Sequence, residues 1–185
     1  MGKRHEAIDD DLASFMQAQS VFFVATAPLA EDGHVNLSPK GIAGSFRVLG
    51  PHSVAYRDVT GSGAESTAHI RENGRVVLMF CAFEGRPRIV RLHGRGSIAR
   101  PGDDRWTSLV EQFPPHDGTR SVVLVDVTRV STSCGFGVPV LGPATERGLL
   151  DQWAARRGPD ELAEYHRTRN AVSIDGLPAL PTSDA

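Results

Sequence analysis

The sequence predicts a mainly β protein: a small barrel of about six strands with short helices at the joins. Two observations carry this. Short apolar runs recur between turn residues, with Gly 19 and Pro 12 among 185 residues. One of those runs, VVLMFCAF at 76–83, is apolar on both faces, as a strand buried on both sides must be.

The elements follow in order. IDDDLASFMQAQ is a helix whose start is acidic and whose Ile8, Leu12, Phe15 and Met16 share one face, suited to cover an end of the sheet. VFFVATAP and VNLSPKG form a hairpin through the turn LAEDGH. SFRVLG and HSVAYRDV are strands around the Gly50–Pro51 break, with Tyr56 and Asp58 on one face and Ala55 and Arg57 on the other. STAHIREN makes about two helical turns that stop at Asn73–Gly74. RIVRLHGRGSIAR is a long strand whose glycines permit a bend. DDRWTSLVEQF is a capped amphipathic helix, and RSVVLVDVTRVSTS the last long strand. A loop, CGFGVPVLGP, leads to two helices, TERGLLDQWAARR and PDELAEYHRTRN, and an extended end, SIDGLPALP. Residues 1–185 read as one domain, with a helical extension over about 145–185.

Composition narrows the function. A formal charge of -2 and a pI near 6.4 give no global attraction to nucleic acid or an anionic membrane. No run reaches the ~18 apolar residues of a membrane span, and no apolar signal segment opens the chain. Cys81 lies in an apolar strand, so with Cys134 it makes no disulfide framework, and a cytoplasmic protein is expected. The histidines lack metal-ligand spacing, so no metal is expected. His69 reads as a helix-surface or interface residue.

The stretch TGSGAEST, 60–67, is the candidate for chemistry. A helix that starts after a glycine-rich turn presents free N–H groups and a positive dipole end to an anion. Thr60, Ser62, Ser66 and Thr67 offer hydroxyls, and Gly61 and Gly63 allow close backbone approach. The other reading is that Ser62 or Ser66 only caps the helix. A Walker loop is excluded by the missing Gly-Lys-Ser/Thr, and Ser66 stands where a dinucleotide fingerprint needs its third small residue. A mononucleotide phosphate site needs only this turn and a basic residue. Lys40, fixed after Pro39 at a strand end, is the candidate point charge; alone it reads equally as a solvated lysine. Arg88 and Arg91 belong to a basic strand that also reads as a solvated edge. Cys134 has no assignable base, so nucleophilic catalysis is not supported.

Four segments, NLSPKG, VAYRDVTGSGAESTAHIRENGRVVLMFCAFEGRPRIVRLHGRG, SCGFGVP and NAVSIDGLPAL, together resemble the pyridoxamine 5'-phosphate oxidase-related, FMN-binding split-barrel proteins over roughly 21–180. The resemblance implies a six-stranded split β-barrel that dimerises, with FMN in a cleft between subunits and a small-molecule substrate. It places the FMN phosphate against Ser38, Lys40, Gly41 and the turn residues Thr60, Gly61, Ser62, Gly63, Ser66 and Thr67. Tyr56 and Asp58 would line the ribityl or ring region, and Arg88 and Arg91 would reach the flavin, from either subunit. Phe136, in the CGFGVP loop, packs either on a ring or in a core turn. The resemblance has one departure: the end SIDGLPALPTSDA lacks the basic and aromatic segment that holds pyridoxamine phosphate. An FMN-dependent oxidoreductase of another substrate is the resulting expectation, with a flavin carrier or sensor without turnover as the alternative. A split barrel using the deazaflavin F420 or haem is a further alternative.

Overall fold

A computed structural model describes residues 2–180; expectations about Met1 and the end 181–185 lie outside them. The strands are β1 (Lys3–His5), β2 (Phe22–Thr26), β3 (Asn36–Lys40), β4 (Phe46–Gly50), β5 (Ser53–Val59), β6 (Arg75–Cys81), β7 (Ile89–Ala99) and β8 (Thr119–Ser133). The helices are α1 (Asp10–Gln17), α2 (Glu65–Asn73), α3 (Trp106–Val110) and α4 (Leu149–Arg169). The strands form one antiparallel sheet in the order β3-β2-β6-β7-β8-β5-β4, with β1 on β8.

The expectation of six strands is corrected to eight among the described residues, and the sheet is open: β3 and β4, its two ends, do not pair. The missed β1 is three residues long and basic, so no hydrophobic alternation marks it. It pairs with Val130–Thr132, where β8 has run past the end of β5.

The sheet curls around an aromatic centre. Phe22 lies 5.2 Å from Phe80 and 5.5 Å from Phe46 between ring centroids, and Tyr56 meets Phe22 edge-on at 5.8 Å. These rings come from β2, β4, β5 and β6, so the core is what brings the two ends of the open sheet together. The curl needs Gly94, at a bulge between β7 and β8, where a Cβ would stand 2.3 Å from the Asp126 carbonyl oxygen. Asp9 caps α1, accepting the Leu12 N–H at 2.8 Å, and Leu12 and Met16 close the core from one side.

The edge strand β3 reverses the usual pattern. Asn36, Ser38 and Lys40 turn inward, in register with Thr26, Val24 and Phe22 of β2, while Leu37 and Pro39 are exposed outside. A polar row therefore lies along the open side of the barrel.

The helices differ from expectation at their ends. Neither Ser62 nor Ser66 caps α2; its N-cap is Ala64, without a side-chain bond, while Gly74 ends it in the left-handed conformation (φ 71°) as expected. The two C-terminal helices run as one span from Leu149, not Thr145, broken at Gly158 (φ 70°, ψ 170°). Gly158 followed by Pro159 breaks the span because proline supplies no N–H and its ring clashes with the preceding turn. Phe136 is 81% exposed and packs in no core turn. Cys81 and Cys134 are free thiols.

Phe80→Ala is expected to cost about 3–5 kcal/mol, because a fully buried ring touching two others leaves a cavity. Chemical denaturation would read that loss.

Candidate functional site

The polar row of β3 ends at Lys40, whose ammonium donates to Asp58 Oδ1 at 2.8 Å. Asp58 is 2% exposed, and its other oxygen accepts from Arg120 Nε at 2.6 Å. Burial would raise the Asp58 pKa, but the charges and hydrogen bonds of Lys40 and Arg120 outweigh it and hold the carboxyl well below the usual range. Two cations thus enclose one anion, leaving the cluster a net positive charge. The edge strand β3, the inner strands β5 and β8, and the C-terminal segment meet there, because Arg120 also donates to Asn170 Oδ1 at 3.0 Å.

Asn170 then donates to the Gly61 carbonyl at 3.0 Å, fastening the end of α4 to the glycine-serine turn. The Thr60 hydroxyl donates to the Gly118 carbonyl at 2.9 Å and lies 2.7 Å from His166 Nε2, which fixes His166 as the donor. Burial, then Arg120 and Arg100, lowers the His166 pKa. Arg120, Asn170 and His166 were not singled out from sequence. The available signals were Arg120, a charge opening the apolar run RSVVLVDV, and Asn170, which opens the segment NAVSIDGLPAL; His166 carries none.

The expected site residues divide into groups. Lys40, Asp58 and Gly61 belong to one connected network, Thr60 bonds Gly118 and His166 beside it, and Gly41 lies next to Lys40. Ser38 and Ser66 join a second one: Ser38 Oγ donates to Asn36 Oδ1 at 3.1 Å, and Asn36 Nδ2 donates to Ser66 Oγ at 2.9 Å. Thr67 is buried in α2. Tyr56 is in the core with its hydroxyl unpaired, and burial, then Asp58, pushes its pKa well above the ordinary value. Gly63 is screened by Glu65, whose Oε2 stands 2.2 Å from where a Cβ would be. Ser62 is exposed. Arg88 and Arg91 are not brought to the cluster: Arg88 pairs with Asp11 at 2.8 Å and lies 5.0 Å from the Phe15 ring centroid, and Arg91 donates to Ser133 at 3.1 Å.

His69 also departs from expectation. It is fully buried, not on a helix surface, with Nδ1 3.0 Å from Thr26 Oγ1 and Nε2 unpaired. Burial lowers its pKa, so it stands neutral.

Two cavities flank the network. The larger, about 840 Å³, lies between the end of α1, the β3–β4 loop and residues 144–151, with Lys40, Phe22 and Phe46 in its wall. The smaller, about 410 Å³, lies over Thr60, Gly61 and Ser62. Leu149 and Leu150, at the start of α4, line both. Gly61 has neither a positive φ nor a packing reason to be glycine: the nearest atom to a Cβ there is the Val59 carbonyl oxygen at 4.0 Å. The backbone is open for close approach from outside.

The pyridoxamine 5'-phosphate oxidase family model matches residues 8–134. The chain belongs to that family. The pyridoxamine 5'-phosphate oxidase family protein ustO of Aspergillus flavus is 40% identical over 194 aligned positions, covering 95% of this chain and 77% of the relative. The fold recurs in a variant of HupZ from Group A Streptococcus, at TM-score 0.53 and 19% identity over 68% of this chain and 99% of that one. A Lactobacillus delbrueckii protein described as a candidate pyridoxamine 5'-phosphate oxidase gives TM-score 0.52 and 18% identity over 69% and 98%. The family-matched stretch holds Lys40, Asp58, the turn and Arg120, whereas Asn170, His166 and α4 lie beyond it. Among the described residues no helix is long and apolar enough to cross a membrane, and no group of three His, Cys, Asp or Glu is placed to hold a metal.

Asp58→Asn is expected to destabilise the protein by about 3–5 kcal/mol near neutral pH, since both buried cations lose their counter-charge. Because the folded pKa of Asp58 is depressed, its contribution is complete above the unfolded carboxylate pKa of about 3.9 and is lost as pH falls below it. Denaturation curves of both proteins from pH 7 downward should therefore converge in acid.

Proposed function

We propose that this chain binds FMN and acts as a flavin-dependent oxidoreductase on a small-molecule substrate, as a homodimer. The observation that carries the reading is Lys40: a half-buried ammonium in the wall of a cavity of about 840 Å³, a size within the range of about 300–1,000 Å³ typical of ligand sites. The residues fit an anionic cofactor. With Asp58 answering only one of two cations, the cluster retains a positive charge for a phosphate, and Lys40 is its more accessible member.

Bound FMN would supply two-electron chemistry, with the protein providing orientation and electrostatics. Lys40 would anchor the phosphate, Asp58 and Arg120 would hold the Lys40 ammonium in position, and Gly41 would admit the cofactor next to it. Of the turn residues expected to meet FMN, Thr60, Ser66 and Thr67 would act as framework, while Gly61 and Ser62 line the smaller cavity, outside the wall that holds Lys40. Asp58 and Tyr56 stand behind the cavity as support, with Tyr56 edge-on to Phe22 in the wall. Arg88 and Arg91 would reach a flavin only across a subunit boundary, since within the chain each is engaged elsewhere.

The homodimer reading is supported by the outer face of the sheet. Leu37, Ala25 and Val77 stand in one cross-strand row, and Pro39, Phe23 and Met79 in the next. Such contiguous outward apolar rows favour a covering partner.

Freshly purified protein is expected to carry a flavin absorption band, with FMN identified by mass after heat release. Lys40→Ala should weaken FMN binding at least about tenfold, the equivalent of losing a charged hydrogen bond of ~1.5–3 kcal/mol. Unchanged affinity would remove the phosphate assignment, and retained flavin without NAD(P)H reaction or reoxidation would favour a carrier. Sedimentation should give a dimer that Met79→Glu dissociates.

A further inference from the structure

We propose that the smaller cavity is a binding pocket for an uncharged, planar aromatic compound. Its floor is the backbone of Gly61 and Ser62, and its walls are Leu149, Leu150, Trp153 and Tyr165. Trp153 and Tyr165 belong to the two halves of α4 on either side of Gly158, and the break there lets their rings meet edge-to-face, 5.2 Å apart at 82°. A straight helix would place positions twelve apart some 18 Å from each other along its axis. The break therefore assembles an aromatic corner over the turn.

The chemistry of the pocket selects its occupant. The Thr60 hydroxyl is engaged with Gly118 and His166, and the Gly61 carbonyl with Asn170. Ser62 Oγ, the Tyr165 hydroxyl and the Trp153 indole N–H are the polar groups of the lining without a hydrogen bond among the described residues, and no charged side chain lines the cavity. The nearby Arg157 guanidinium lies 4.1 Å from the Trp153 ring centroid, a cation–π contact that engages its charge. A charged ligand would lose hydration without finding a counter-ion, whereas a flat apolar ring gains contact with two aromatic and two leucine side chains. Gly61, open to any Cβ, lets a ring lie close against the backbone.

Leu149 and Leu150 line both cavities, so a compound held here adjoins the larger one. Its role as substrate rests on the flavin reading; the binding itself does not.

The chain has two tryptophans, so Trp106→Phe leaves Trp153 as the sole indole reporter. Titration of that variant with nitrobenzene, a neutral planar quencher, is expected to quench Trp153 fluorescence saturably. Adding Gly61→Leu, which fills the floor, should abolish the saturable phase with an unchanged thermal midpoint. Should that variant unfold, Leu150→Glu on the opposite wall gives the same reading. 4-Nitrobenzoate, the charged counterpart, should bind at least tenfold more weakly. Linear quenching that is equal in parent and variants, or equal affinity for nitrobenzoate, would overturn the pocket. FMN affinity measured on the same proteins separates the two ideas. Saturable nitrobenzene binding without FMN binding keeps the pocket and removes the flavin reading, and FMN binding with linear quenching does the reverse.

Discussion

The buried Asp58 carboxylate is the constraint on which this end of the molecule depends. A charge at 2% exposure survives only if neighbours replace its hydration, and here Lys40 and Arg120 do so from opposite sides. That requirement ties together parts that the sheet alone leaves apart. β3 and β4 do not pair, yet Lys40 of β3 is drawn to β5 by the ion pair. The same guanidinium that neutralises Asp58 holds Asn170, and Asn170 holds the turn. One ionised group therefore sets the position of the edge strand, the glycine-serine turn and the C-terminal segment relative to one another.

The reversed face of β3 follows from the open sheet. An edge strand that closed a barrel by hydrogen bonding would turn apolar residues inward. β3 instead lines a gap, and Asn36, Ser38 and Lys40 face it while Leu37 and Pro39 face out. Asn36 links Thr26 of β2 with Ser66 of α2, so α2 is seated on the barrel partly through a polar layer under its first turn. That layer also takes up hydroxyls that the sequence offers to a ligand. Ser66 is spent on Asn36 and Thr60 on Gly118 and His166, so the hydroxyl-rich turn has less free hydrogen-bonding capacity than its composition suggests.

Local signals were legible wherever they were strong. The apolar run 76–83 contains β6 from Val76 up to Cys81, the acidic start of α1 is its capped end, and Gly74 stops α2 as the pattern requires. What depends on distant partners was not. Asp58 stood out as a strand residue, but nothing local shows that Arg120, sixty-two positions on, is its second counter-ion. Asn170 and His166 are ordinary polar residues of a helix end until the fold lays them on the turn. His69 was misread for the same reason: in a helix of low amphipathicity its burial is decided by β2 and β7 packing on α2, not by its own neighbours in sequence. Tyr56, placed on one strand face with Asp58, is sealed in the aromatic centre by Phe22, which sequence proximity does not reveal.

The break at Gly158 divides labour along the chain. Everything that makes the sheet and the Lys40–Asp58–Arg120 cluster lies between residues 3 and 133, while the aromatic corner of Trp153 and Tyr165 rides on a segment that adds no strand. Two polar links, Asn170 to Arg120 and Gly61 and His166 to Thr60, fasten that segment to the turn. Such a chain separates its scaffold from an interchangeable facing: the exposed side chains of α4 can change without disturbing a strand register, provided those fastenings, the Asp151–His116 contact and the buried Ala154 and Leu162 remain.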